Sequence, residues 1–361
     1  MKARERVLCA LSHAEPDRVP IDCWASPQFT PRLLGHLGLT SEEELLNQLG
    51  VDLRYVRGPS YAGLELRAHP DGTTEDLWGV RRRTVTVLGP TFQWSYKEVV
   101  ESPLAGATTA AEVDAYPRWP SPDWWDYAPL PHQCRRHADY AVVLGADRLD
   151  RTAQVKPAFY LRGMERFLTD LVLEPRLAEA ILRHITEYYL EYNRRVFEAT
   201  KGLADIFLMG DDFGTQQGPI VSLDLWRKYF RPGFRRFVDL AHAYGLKVMH
   251  HTCGSVRQLI PEFVDAGLDI LQSLQPRAAG MDLRKLKREF GRHISFHGSI
   301  DIQHVLPRGT PDEVRRHARQ QLRAGMPGGG FIVCTAHDIL PDVPTENVVA
   351  LFEAYHQFGS Y

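Results

Sequence analysis

From about residue 200 to the end, the chain repeats one pattern: a short aliphatic or β-branched run, then a helical segment, then the next run. Residues 204–209 (ADIFLM), 246–249 (LKVM), 268–271 (LDIL), 294–296 (ISF) and 331–333 (FIV) read as strands. Ser222 is placed to cap a helix that begins at Leu223, a further helix follows Gly254, residues 282–290 are helical, and Thr310-Pro311-Asp312-Glu313 is a helix start with proline in the first turn. Five strands thus follow one another at βα spacing. The first 200 residues are less regular but supply three more candidates, 18–21 (RVPI), 51–56 (VDLRYV) and 140–144 (YAVVL). Eight βα units favour an α/β fold of one kind, a single (β/α)₈ TIM barrel, over a doubly wound sheet, and 361 residues fit such a barrel with an insertion. The insertion is assigned to residues 70–130, with a hairpin that has TVTV (84–87) as one arm and a Pro/Trp-rich loop, WPSPDWW (119–125). With no internal repeat, low-complexity tract or long linker, residues 1–361 are expected to form one domain.

Bulk properties narrow the function. A net charge of −2 provides no basic field for a phosphate backbone, so nucleic acid is not an expected partner. No apolar run approaches the roughly 20 residues of a membrane span, and the start lacks the apolar core of a secretion signal. The five cysteines, at 9, 23, 134, 253 and 334, are odd in number and scattered, unlike a disulfide framework. A soluble protein of the reducing cytoplasm is expected.

Barrel active sites lie at the C-terminal ends of the strands, so polar residues just after each apolar run are the candidates. They are Asp211 and Asp212, then His250, His251 and Cys253, then Gln272 and Gln275, then His297, and finally Cys334 and His337. Taken singly, Asp212 reads as a capping or turn carboxylate, His297 as a hydrogen-bonded structural histidine, and the glutamines as rim polars. Their coincidence at successive strand ends is what points to a site. His251 and Cys253, at i and i+2 of an extended segment, point the same way, and both suit zinc. Cys334 or His337 is placed to supply a third ligand, which with one open position is what a catalytic zinc needs. The competing reading makes Cys253 a small buried hydrophobe and the histidines parts of turns.

Several stretches together resemble the uroporphyrinogen decarboxylase superfamily: "RERVLCALSHAEPDRVPI", "LRGMERFLTDL", "GDDFGTQQGPIVS", "HHTCGSVRQLIPEFVDAGLDILQSLQ", "FHGSID" and "HDILPDVPTENV". The resemblance spans nearly the whole chain and implies the same barrel. The true decarboxylases carry an arginine-rich "RQAGR" stretch after the first strand, whereas this chain reads Cys23-Trp24-Ala25-Ser26-Pro27-Gln28. The cations that would hold a polycarboxylate are missing. The chain is more similar to the branch of zinc-dependent methyltransferases that work with corrinoid proteins, whose signature is His-x-Cys, a long gap, then Cys. His251-Thr252-Cys253 matches the first half. In the closing segment His337 stands where the last ligand belongs, with Cys334 three residues earlier as the alternative.

The reading is an enzyme that transfers a methyl group between a methylated corrinoid and a nucleophilic acceptor, with Zn²⁺ on His251, Cys253 and His337. Asp211, Asp212 and His297 are assigned to catalysis, and Gln272, Gln275 and His250 to substrate. The partners expected are a small-molecule substrate and a corrinoid protein, with a homodimer as a further option. The alternatives are a lyase or decarboxylase of a small carboxylic acid, and a corrinoid- or tetrapyrrole-binding protein without turnover. Trp119, Trp124 and Trp125 read equally as a lid, a dimer contact or a satellite core.

Overall fold

A computed structural model of the chain describes residues 1–89, 92–145 and 151–361. Its centre is a parallel sheet of seven strands, numbered in chain order and pairing in that order: β1 Leu53–Tyr55, β2 Ala141–Leu144, β3 Ile206–Gly210, β4 Lys247–His251, β5 Ile270–Leu274, β6 Ser295–Ile300 and β7 Phe331–Thr335. Helices cover its outer face, among them Val155–Arg162, Pro175–Ala199, Arg231–Ala243, Leu283–Phe290, Pro311–Gly325 and Thr345–Phe358. The local signals act where the residue types require. Ser222 Oγ accepts the Leu225 amide, Asp282 caps the helix that starts at Leu283, and Thr310 with Glu313 forms a capping box.

Among the described residues the central sheet has seven regular strands rather than the eight expected. Residues 18–21 form no strand, only two isolated bridges, Ile21 with Val333 and Arg18 with Ser360. The segment still touches both edges of the sheet: the Val333 amide donates to Pro20 O at 2.9 Å, Asp22 N to Val333 O at 3.0 Å, and Asp52 N to Ile21 O at 2.8 Å. A continuous ladder fails for two local reasons. Pro20 has no amide hydrogen, and the Ile21 amide donates not to backbone but to the Asp52 carboxylate, which also holds Arg6 and Arg18.

Strand alternation sorts the side chains. Leu53, Ala141, Val143, Ile206, Leu208, Met249, Ile270 and Ile332 form one inner cluster, which Val7 and Leu11 of the helix Ala3–Leu11 join. The residues of opposite parity join the larger core under the helices. One step further along each inward row stand Tyr55, Gly210, His251, Gln272 and Cys334, so a polar layer lies directly above an apolar one. The 70–130 insertion contains the expected hairpin, Arg81–Leu88 paired antiparallel with Gln93–Glu101, with Thr74–Glu75 alongside. Its tryptophans pack mainly on the helical layer, and Trp125 also lines a small cavity with Leu144 and Gly145 at the end of β2. Trp119 stacks on His184 at 4.4 Å and Trp125 Nε1 donates to Tyr188, both on the helix Pro175–Ala199, so in this structure the cluster is a satellite core and not a lid. Among the described residues no helix is long and apolar enough to cross a membrane.

Candidate metal centre and its surroundings

The "MHHTCGS" stretch ends β4 and turns away from the sheet. Alternation sends Met249 and His251 inward and His250 outward. His250 is buried against Phe213, Phe234 and Phe263, with ring centroids 5.0–5.8 Å apart. Its ring faces the helical layer, and among the described residues neither ring nitrogen has a partner. Burial lowers its pKa to about 3, so it is neutral. Two glycines make the geometry of this stretch possible. A Cβ on Gly210 would lie 2.7 Å from that of His251, and Gly254, at φ +81°, would place one 2.5 Å from Gly214 O.

His251 Nδ1 lies 2.7 Å from Gln272 Oε1. A carbonyl oxygen can only accept, so Nδ1 carries the proton and Nε2 keeps its lone pair. Burial first, then the nearby Arg151, hold the ring neutral, which is the protonation state a metal ligand needs. Cys253 Sγ is 3.5 Å from that Nε2. For zinc with bonds of about 2.3 Å to sulfur and about 2.0 Å to nitrogen, the tetrahedral S···N edge is about 3.5–3.6 Å. The His337 ring meets that of His251 edge-on at 5.5 Å, and ligand atoms of His251, Cys253 and His337 all lie within 4.8 Å of one another. The residues fit a tetrahedral ion that keeps one position open. One internal contact opposes it: His337 Nδ1 accepts the Asp338 amide at 2.7 Å. Whether Nδ1 or Nε2 took the metal, that bond would be lost, because a metal at Nε2 requires the proton on Nδ1.

Cys334 does not belong to this group. It is buried on the inward row of β7 and lies with Asp22 and His297, whose ligand atoms and its own fall within 4.8 Å. Burial and the Asp22 charge push its thiol well above the usual range, so it is a thiol and not a thiolate. His297 Nε2 lies 2.8 Å from Asp22 Oδ2, and the same oxygen accepts the Tyr55 hydroxyl at 2.6 Å. Trp24 Nε1 donates to Tyr55 at 2.8 Å, and its indole stacks on the His251 ring at 5.7 Å, tilted over His297 at 6.2 Å.

The two aspartates after β3 have different surroundings. Asp211 accepts the amides of Gln154, Val155 and Lys156 and caps the helix Val155–Arg162; burial pushes it up to about 6 against those three donors. Asp212 bonds the Cys253 amide at 3.0 Å and Lys156 Nζ at 2.8 Å, and its Oδ1 is 3.7 Å from His251 Nε2. Burial alone would raise its pKa, but Lys156, aided by the Cys253 amide, outweighs it and holds the carboxylate ionised. Gln275 Oε1 accepts the Gly254 amide and so fixes the turn after Cys253. An open cleft of 560 Å³, with Trp24, Tyr55, Arg57, Arg151 and Asp338 among its lining residues, leads away from this end of the sheet.

Asp22, Trp24, Tyr55 and Lys156 are absent from the candidates drawn from sequence. The strand-end rule finds Asp22 when applied to 18–21 as it was to the later strands, whereas Tyr55 falls inside the 51–56 run. No sequence signal points to Lys156.

A parallel α/β sheet with a His/Cys/His group at the C-terminal ends of its strands defines a metal-competent, enzyme-like scaffold. The match to known proteins is more particular. The model of the uroporphyrinogen decarboxylase (URO-D) family covers residues 152–358, and the chain belongs to that family. It is 25% identical over 203 residues to the methylated-thiol–coenzyme M methyltransferase of Methanosarcina mazei, covering 56% of this chain and 51% of that protein. It is likewise 25% identical over 189 residues to the uroporphyrinogen decarboxylase of Syntrophotalea carbinolica, covering 51% and 49%. These alignments span about half the length of the curated relatives. In fold, the chain is similar to a methyltransferase from Methanosarcina mazei, with a TM-score of 0.66, 19% identity and 99% of each chain covered.

Proposed function

We propose that this protein is a zinc-dependent methyltransferase that moves a methyl group between a methylated corrinoid and a nucleophilic acceptor, a thiol being the acceptor that suits the site best. The observation that carries the reading is the convergence of His251, Cys253 and His337, with the Cys253–His251 spacing of a tetrahedral edge. A relative named for methyl transfer between thiols supports it. Bound at these residues, zinc would supply Lewis acidity, holding an acceptor thiol as its thiolate near neutral pH.

The chain's own residues have separable tasks. Gln272 fixes the His251 tautomer, and Asp212, kept ionised by Lys156, holds the Cys253 amide and with it the direction of the thiol. Asp211 positions Lys156 through the helix it caps. Trp24 walls the site, and the cleft beside it admits the acceptor. In this reading the fold is a (β/α) barrel whose eighth stave is the irregular 20–22 segment, the chain acts with a corrinoid protein, and it works in the cytoplasm. The test is metal analysis of the purified chain, followed by methyl transfer from methylcobalamin to ethanethiol. A chain that takes up about one zinc and methylates the thiol meets the expectation; one that binds no zinc refutes it.

A further inference from the structure

Beneath the metal centre lies a second group of side chains that the reading above leaves without a task. Asp22 and His297 are 1% and 0% exposed in their side chains. Among the described residues no lysine or arginine pairs with Asp22; its Oδ2 accepts His297 Nε2 and the Tyr55 hydroxyl, and its Oδ1 accepts the Cys23 amide. With Nε2 donating, His297 carries its proton there and exposes the lone pair of Nδ1. That Nδ1 is buried and, among the described residues, has no partner. A carboxylate that fixes an imidazole by one nitrogen and leaves the other bare is the arrangement of a general base with its orienting acid.

We infer that His297 is the proton acceptor of this site, taking the acceptor's proton at Nδ1, with Asp22 as its positioning residue. The inference rests on the methyl-transfer reading for the identity of the proton donor. The S–H bond of the thiol breaks, its electron pair stays on sulfur, and the proton forms the Nδ1–H bond. The buried charge favours this. At rest the group carries the lone negative charge of Asp22; with the added proton it becomes an imidazolium–carboxylate pair of no net charge. At rest the same proton would make Nδ1–H a buried donor without an acceptor, so uptake is coupled to the arrival of a substrate anion beside it. Cys334, held as a thiol, stays a neutral neighbour.

Two measurements test this. Nuclear magnetic resonance of the metal-free chain with isotope-labelled histidine, His297 being assigned by loss of its signal in His297→Gln, should find the proton on Nε2 alone, and Asp22→Asn should abolish that preference. A resting proton on Nδ1 overturns the proposal whatever the metal does. Calorimetry of ethanethiol binding to the zinc-loaded protein, in buffers of different ionisation enthalpy, counts protons released. Wild type should release close to none, whereas His297→Gln and Asp22→Asn should each release close to one per thiol, with zinc content unchanged. A purely structural pair would leave that count untouched. Wild type releasing a full proton overturns the base, and so does a second zinc per chain that Cys334→Ala removes. A zinc-loaded protein that binds no thiol sinks the acceptor assignment alone, and the tautomer measurement still decides the dyad.

Discussion

Gln272 Oε1 lies 2.7 Å from His251 Nδ1, and this contact decides which nitrogen of the imidazole faces Cys253. The two residues are register partners on β5 and β4, so pairing of the strands brings the amide to the ring. Gln272→Leu should therefore keep the fold and weaken zinc binding by about 10–100-fold, because a ring free to adopt either tautomer or turn away is a poorer ligand. Chelator competition measures it. Unchanged affinity would remove Gln272 from the metal's support.

The ligand set yields a sharper contrast. Cys253→Ala and His337→Ala should each lose nearly all bound zinc, and Cys334→Ala should retain it, since Cys334 lies with Asp22 and His297 instead. Metal content of the three purified variants is the readout. Full zinc in His337→Ala with none in Cys334→Ala would reverse the assignment.

His250 offers a test of which face each histidine takes. Its pKa falls from 6.5 unfolded to about 3 folded, through burial. The unfolded state then binds more protons as pH drops below 6.5, so stability is lost progressively from about 6.5 down to about 3, by as much as ~5 kcal/mol. His250→Leu removes this term: it should match wild type at neutral pH, unfold at lower pH in an acid titration followed by circular dichroism, and still bind zinc. Loss of zinc in this variant would place His250 in the site after all.

Asp211 is expected to act on stability first. Asp211→Ala leaves three amides at the start of the helix Val155–Arg162 without their acceptor. The cost should be about 2–3 kcal/mol, seen as a lower midpoint in denaturant. A variant as stable as wild type but inactive would instead make Asp211 a participant in the chemistry.

Cooperativity tests the extent of the folding unit. Because residues 20–22 are hydrogen-bonded both to Val333 and to Asp52, the two ends of the chain are expected to unfold together. Limited proteolysis should cut first within 70–130, where the hairpin carries exposed Val87 and Leu88. A stable fragment ending near residue 200 would show two units.

Much of the layout was legible in the sequence because it depends on short-range periodicity. Strand-helix alternation after residue 200 fixes a parallel sheet, strand ends mark the functional face, and the two-residue repeat aligns His251 with Cys253. The tertiary structure alone decided what depends on curvature and long-range pairing. Residues at the strand ends were treated as one set, yet the pleat turns His250 to the helices and His251 to the interior. Cys334 and His337 are three residues apart and equivalent by spacing, but Cys334 is on the inward row of β7 while His337 lies beyond the strand, so they join different groups. Asp22 meets His297 across 275 positions only because the 20–22 segment lies against β7, next to β6. The eighth strand failed for a reason visible at one residue, the missing amide of Pro20, but that an aspartate from position 52 would take the neighbouring amide is set by the packed structure.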